Sequence, residues 1–165
     1  MDIVFPDKNE KVLAQRAQDL GIPALCRVYP KSAILAKLPD IEHTIIAQEI
    51  TGKAKKNIRF YKATSSMRKI IDQKGADVIW GFEQIEKNDG LHQRRSGINQ
   101  VIAKLLKKYD MMYALSLQDI IEALKTNNTQ FLGRVMQNIA LQKKYKFRAK
   151  FASFAATPDE IGRAH

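Results

Sequence analysis

Strand-like and helix-like segments alternate along this chain, and the alternation limits the fold more than any other feature. Short apolar runs predict strands, and runs with apolar residues three and four positions apart predict amphipathic helices. Only short connections separate these segments. Because consecutive parallel strands are joined by a crossover, usually a helix, the pattern predicts an α/β protein with a parallel sheet.

About seven strands and five helices are expected in a single domain over residues 1–165. The predicted strands are 2–5, 23–29, 43–50, 58–64, 76–83, 111–116 and 147–155. Three of the predicted helices are 8–20, 98–109 and 117–126. A further helix is capped by Ser65 or Ser66 and ends near residue 73, and the last one is capped within residues 127–129 and ends near residue 145. Without a dinucleotide-binding glycine fingerprint, both a (β/α) barrel and an open doubly wound sheet fit this order.

Cysteine content and hydropathy indicate where such a chain works. Cys26 is the only cysteine and lies in an apolar run, so neither a disulfide framework nor a Cys-x-x-Cys metal motif is available. No apolar run approaches 18 residues, and the first ten residues lack the apolar core of a signal peptide. We therefore expect a soluble, cytoplasmic protein with no membrane partner.

Positive charge is concentrated in two parts of the chain. The net charge is +11, and residues 41–75 and 126–165 each contribute +5. An excess of this size favours a polyanionic partner such as nucleic acid. That interpretation requires the fold to bring the two segments to one surface, and the alternative is a generally basic, solvated exterior.

The stretch RRSGINQ, residues 94–100, places two arginines at the start of the third predicted helix. Ser96 is the expected N-cap, so the helix dipole disfavours Arg94 and Arg95 slightly. Two guanidinium groups, free helix N–H groups and a serine hydroxyl form a plausible phosphate cradle. The alternative is that the arginines form ion pairs with Glu86 or Asp89.

A second basic element covers residues 133–150. Its cationic residues are Arg134, Lys143, Lys144, Lys146, Arg148 and Lys150. Arg148 and Lys150 alternate with apolar residues on the last predicted strand, so one face of that strand is expected to be basic. Such a face is typical of a nucleic-acid surface or a charged sheet edge.

Signals for catalysis by the protein are weak. The histidines at positions 43, 92 and 165 are far apart, with no metal-binding spacing between them. Glu83 follows a predicted strand at its carboxyl end, where barrel enzymes carry catalytic groups. The alternatives for Glu83 are a solvated acid or the partner of a nearby cation.

Four stretches in this order and spacing resemble archaeal protein component 3 of ribonuclease P, the counterpart of the eukaryotic thirty-kilodalton subunit. They are RRSGINQVIAKLLKKYD, SLQDII, GRVMQNIALQKKYK and ASFAATPDE. The resemblance is best over residues 64–163 and includes the opening DIVFP, whereas residues 30–63 match loosely. The family continues past the last stretch with a further helix, so we expect a barrel that is incomplete at its C-terminus.

The resemblance implies a TIM-like barrel related to the PHP phosphoesterases, in a protein that is itself non-catalytic. PHP enzymes carry clustered histidines from their first strand onward, and DIVFP lacks them. The resemblance also implies a holoenzyme whose RNA binds Mg²⁺ and removes the 5′ leader of precursor tRNA. Its implied protein partner is the RRM-like protein component 2, in a heterotetramer with two copies of each.

By position, the resemblance assigns a set of residues that face the ribonuclease P RNA, with no catalytic and no metal-binding residue. These are Arg94, Arg95, Ser96, Asn99, Gln100, Lys104, Lys108, Arg134, Asn138, Lys144, Lys146 and Arg163. Two other function classes stay open on the residues alone. One is a stand-alone PHP-like metal-dependent phosphoesterase, and the other is a structural interaction module whose charge is incidental.

Overall fold

The computed structural model of the chain describes residues 1–34, 38–49, 58–90 and 94–161. Its strands are β1 (Asp2–Val4), β2 (Leu25–Tyr29), β3 (Thr44–Glu49), β4 (Ile58–Lys62), β5 (Val78–Trp80), β6 (Met112–Ser116) and β7 (Ala149–Ala152). Its helices are α1 (Glu10–Asp19), α2 (Met67–Asp72), α3 (Gln100–Lys108), α4 (Leu117–Lys125) and α5 (Thr129–Tyr145). Short 3₁₀ turns cover Phe82–Gln84 and Pro158–Glu160.

The described strands form one parallel sheet whose spatial order is the chain order, β1 to β7. A parallel bridge between Val4 and Ala155 brings the two ends of the sheet together. A doubly wound sheet reverses its strand order at a switch point, and this sheet does not. The prediction of an α/β barrel is therefore confirmed to the extent that the described strands form a parallel sheet that is nearly closed into a barrel.

Two predicted boundaries were wrong, both because of local backbone geometry. The strand predicted over 76–83 ends at Trp80, since Gly81 adopts a left-handed conformation with φ +75° and a 3₁₀ turn follows. Ser96 is not a helix N-cap. The cap of α3 is Asn99, whose side chain accepts a hydrogen bond from the Ile102 N–H at 2.9 Å.

The interior of the sheet is filled by small residues on most strands and by aromatic rings near one end. Ala47, Ala114 and Ala152 are fully buried in this interior cluster, as is Phe60. Lys150 pairs in register with Ala114 and so shares the inward face of the sheet. Arg148, the other cation predicted for this face, lies before β7, is exposed and pairs with Asp110 at 3.0 Å.

The helices α2, α3 and α5 pack side by side against the outer face of the sheet. A second apolar cluster lies between them and β5 and β6, with Leu106 and Tyr113 fully buried. Burial of the apolar side of α3 leaves Lys104, Lys107 and Lys108 on its solvent side. Within the described residues, no helix is long and apolar enough to cross a membrane.

Candidate nucleic-acid interface

Gly97 shapes the approach to α3. Its φ is +79°, and a Cβ added there would lie 2.3 Å from the carbonyl oxygen of Phe82. Only glycine meets both conditions without strain. The Ser96 side chain beside it is 2% exposed, and its hydroxyl donates to the Ile98 carbonyl at 3.2 Å. This glycine therefore seats the RRSG segment against the turn that follows β5.

Arg94 and Arg95 are both exposed but are held differently. Nη1 of Arg94 lies 3.5 Å from the carbonyl oxygen of Gly133, in the second turn of α5. The backbone N–H of Arg95 donates to Asp89 at 2.9 Å, and its Nη1 lies 3.5 Å from the Glu86 carboxylate. The ion pair between Arg95 and Glu86 matches one predicted alternative. An exposed pair of this kind contributes about 1 kcal/mol or less, so an incoming phosphate can replace the carboxylate.

Arg134 anchors the same segment from inside. It is 4% exposed, and its guanidinium lies 2.8 Å from the Asp89 carboxylate. It also donates to the carbonyl oxygens of Glu83 at 2.9 Å and Glu86 at 2.6 Å. The hydrogen bond from the Arg95 N–H and the contact with Arg134 lower the pKa of Asp89, so this carboxyl stays ionised. Arg134 thus fixes the chain after β5 to α5.

A second buried group of polar side chains lies beside this anchor. The Tyr113 hydroxyl donates to the Glu83 carboxylate, and the Asn138 amide donates to the same oxygen at 2.8 Å and to the Ser96 carbonyl at 2.9 Å. Burial raises the pKa of Glu83 to about 7. Glu83 is therefore neither the solvated acid nor the ion-pair partner that its sequence position allowed, because its described partners are neutral donors.

The arginine cleft is a cavity of about 700 Å³ above this network. It is lined by Glu86, the segment Arg94–Gln100, Gln137 and Leu141. Two guanidinium groups and the amides of Asn99, Gln100 and Gln137 supply donors to it. The only described carboxylate in its wall is Glu86.

The lysine groove continues along the same pair of helices, with a volume of about 530 Å³. It is lined by Lys104, Lys107, Lys108, Lys144 and Tyr145. On α5, Gln137, Leu141 and Lys144 are four and three residues apart, so they share the face that borders both cavities. Among the described residues, no carboxylate lies within 4.0 Å of any of these four lysines.

Among the described residues, the two basic segments of the chain meet at this surface only in part, and residues 50–57 of the first segment lie outside the described ranges. Lys74, from the first segment, and Lys108 both lie over the ring of Tyr109, at 5.3 and 5.1 Å from its centroid. Lys144, from the second segment, lines the lysine groove. Arg59 of the first segment instead pairs with Asp77 at 2.7 Å.

The residues assigned to the RNA fall into three groups. Those with exposed side chains are Arg94, Arg95, Asn99, Gln100, Lys104, Lys108, Lys144 and Lys146. Those with buried side chains are Ser96, Arg134 and Asn138. These three side chains form hydrogen bonds with other groups of the protein and have no surface for an RNA contact in this structure. Arg163 lies outside the described residues.

Sequence reasoning missed Lys107 and Gln137, which line the lysine groove and the arginine cleft. The spacing of these two residues from Lys104 and Lys144 could have indicated that they share a helix face with them. Lys107 follows Lys104 by three residues, and Gln137 precedes Lys144 by seven, so each pair lies on one helix face. Lys74 gave no such signal, because only the fold places α2 beside α3.

Within the described residues, no group of three or more His, Cys, Asp or Glu side chains is placed to hold a metal ion. His92 and His165 lie outside those residues.

No protein-family model matches the sequence, and no curated protein matches it significantly. The arginine cleft and the lysine groove between α3 and α5 are the basis of the function proposed below.

Proposed function

We propose that this protein is an RNA-binding subunit of ribonuclease P, which supports the RNA that removes the 5′ leader of precursor tRNA. The observation that carries the proposal is the track formed by the arginine cleft and the lysine groove. Four lysines without a described carboxylate partner lie close together there. Since like charges repel, such a cluster is stabilised by an external polyanion.

The dimensions of the track suit a phosphate backbone. From Gln100 to Lys108, α3 rises about 12 Å, which corresponds to about three phosphate steps along one strand of a duplex. Guanidinium groups bind phosphate through paired hydrogen bonds, and lysines act as mobile point charges. Backbone contacts of this kind position a nucleic acid without selecting its sequence.

The four stretches shared with protein component 3 favour ribonuclease P RNA over other polyanions. Two of them, residues 94–110 and 133–146, contain every lysine and arginine of the track. In this proposal the barrel is PHP-related and non-catalytic, Mg²⁺ is bound by the RNA, and the RRM-like protein component 2 completes a cytoplasmic heterotetramer.

Reconstitution tests the proposal directly. Ribonuclease P RNA and protein component 2 are mixed with precursor tRNA, with and without this protein, at moderate Mg²⁺. We expect this protein to increase the release of the 5′ leader. Unchanged cleavage would reject the proposed role.

A charge-reversed pair of variants tests the track itself. Arg94→Glu/Arg95→Glu is expected to weaken binding to the RNA and to reduce the stimulation of cleavage. Lys11→Glu/Arg16→Glu changes the net charge equally on exposed positions of α1, away from the track. If both variants weaken RNA binding alike, the attraction is general and the track has no special role.

A further inference from the structure

A separate cavity opens at the carboxyl ends of the strands, where barrel proteins place their binding sites. This mouth pocket has a volume of about 410 Å³. It is lined by Phe5, Glu49, Lys62, Trp80, Ser116, Gln118, Asp119 and Phe154. Six of the seven strands contribute a residue at or just beyond their carboxyl end, so the closure of the sheet itself assembles the pocket.

Aromatic rings form the floor of the mouth pocket. The ring centroid of Trp80 lies 5.7 Å from that of Phe5 and 5.2 Å from that of Phe154. The planes of Phe5 and Phe154 are tilted by 52° and 48° from that of Trp80, so the rings line an apolar hollow at the mouth of the barrel. A planar ring of a ligand can stack on one of these rings and meet the edges of the others.

Among the residues that line the pocket, Lys62 is the cation, and Glu49 and Asp119 are carboxylates. Lys62 is exposed, and its Nζ lies 4.8 Å from the ring centroid of Trp80. No described carboxylate lies within 4.0 Å of Nζ. An anionic group on a ligand therefore gains a charge-assisted hydrogen bond without breaking an existing ion pair.

Hydrogen-bond acceptors lie on the same wall. The Asp119 carboxylate accepts from the Gln84 amide at 2.8 Å, and Glu49 lines the pocket at the end of β3. Burial raises the pKa of Asp119, while Lys62 and the hydrogen bonds from Ser116 and Gln84 oppose that shift. Carboxylates in this position are suited to accept from sugar hydroxyl or exocyclic amino groups.

We propose that the mouth pocket binds a nucleotide, with its base on the aromatic floor, its ribose hydroxyl groups on Glu49 or Asp119, and its phosphate on Lys62. An uncharged apolar ligand leaves Lys62 and the two carboxylates without a partner on the ligand. A simple anion does not use the aromatic floor. This site is distinct from the track between α3 and α5 and does not depend on the ribonuclease P proposal.

Trp80 is the only tryptophan in the chain, so its fluorescence reports on this pocket alone. The protein is titrated with AMP, adenosine, ribose 5-phosphate and inorganic phosphate. We expect AMP to change the fluorescence saturably, at one nucleotide per chain. Removal of the phosphate is expected to weaken binding about tenfold, and removal of the base to weaken it at least as much.

Lys62→Ala keeps the fluorescent residue and removes the cation. It is expected to lower the affinity for AMP to that for adenosine and to leave adenosine binding unchanged. Lys69→Ala, an exposed lysine of α2 outside the pocket, is the matched control and is expected to change neither. Equal weakening by both variants, inorganic phosphate binding as tightly as AMP, or no saturable signal would overturn the proposal.

The nucleotide in the pocket can be a free nucleotide or part of an RNA strand, and a further titration distinguishes the two. A short single-stranded RNA is titrated into the Arg94→Glu/Arg95→Glu variant in the presence of AMP. That variant lacks two cations of the track but keeps the mouth pocket. Competition between the RNA and AMP, abolished by Lys62→Ala, identifies an RNA nucleotide as the occupant. AMP binding without competition identifies a free nucleotide, and either result supports the site.

Discussion

Arg134 and Lys144 lie ten residues apart on α5, and both belong to the set assigned to RNA, yet their surroundings are opposite. Arg134 is 4% exposed and is surrounded by Asp89 and the carbonyl oxygens of Glu83 and Glu86. Lys144 is exposed, with its Nζ 5.6 Å from the ring centroid of Tyr145 and no described carboxylate nearby. The first charge holds the fold together, and the second remains available to a partner.

A basic residue must therefore be assigned a role from the carboxylates and carbonyl oxygens around it as well as from its position in the sequence. The RRSG segment can present Arg94 and Arg95 only because Arg134 holds the preceding chain in place. A substitution in the buried network should therefore change stability first and RNA binding as a consequence. A substitution in the lysine groove should change binding alone.

The largest effect is expected for Arg134→Met, which leaves Asp89 and two carbonyl oxygens without their donor. Two carbonyl oxygens left without a donor beside this buried position together cost about 3 kcal/mol or more in the free energy of unfolding. Urea denaturation measures this loss, with Lys144→Met as the control that should stay within about 0.5 kcal/mol of the unsubstituted protein. Equal stability of the two variants would contradict the distinction between them.

The next effect is a pH dependence from Glu83. Because its pKa is raised from 4.5 to about 7 in the folded protein, the folded state keeps a proton that the unfolded chain releases between these values. The free energy of unfolding should therefore fall as the pH rises from about 4.5 to about 7, by about 3 kcal/mol, and this contribution is constant above and below that window.

Glu83→Gln stays uncharged and tests this assignment. Its stability relative to the unsubstituted protein should improve as the pH rises through the same window, as measured by denaturation at pH 5 and pH 8. If the difference in the free energy of unfolding between the two proteins were the same at pH 5 and pH 8, Glu83 would not be the group that causes the pH dependence.

Gly97→Ala is expected to destabilise the protein by about 2 kcal/mol, because it combines a positive φ with a contact against the Phe82 carbonyl. Gly21→Ala is the matched control. Gly21 has a similar φ of +69°, but a Cβ there meets no described atom within 4 Å. Gly21→Ala should lower the free energy of unfolding only by the cost of the positive φ, about 1 kcal/mol. Thermal unfolding of both variants measures their loss of stability. The loss in Gly21→Ala gives the cost of the positive φ, and the additional loss in Gly97→Ala gives the cost of the contact with Phe82.

The smallest effect is expected for Lys144→Ala in the lysine groove. The slope of log affinity for RNA against log salt concentration should decrease in magnitude by about 0.7 to 0.9, since one phosphate contact is lost. Lys125→Ala, on the exposed end of α4 and outside the groove, should leave the slope unchanged. Equal slopes for the two variants would show that the groove does not bind the phosphate backbone.

The order of strands and helices was predictable because each element depends on local periodicity. The helix predicted over 117–126 agrees with α4 to within one residue, and the N-cap of α5, Asn128, lies within the predicted cap 127–129. The start of α3 was misplaced, because Ser96 and Asn99 are equally good caps in sequence, and only the contact between Gly97 and Phe82 excludes the earlier one. That contact joins parts of the chain fifteen residues apart and leaves no local signal.

The β/α alternation, the positive charge and the segments that carry it are readable from the amino-acid sequence, since they depend on composition and on spacing along one strand or helix. Which cations are available to a partner depends on the packing of elements that are distant in the chain. Arg134 and Lys144 are similar in sequence terms, but the packing of α5 buries one against Asp89 and leaves the other beside α3. Burial and pairing are properties of neighbours brought together by the fold, and they determine what each charge does.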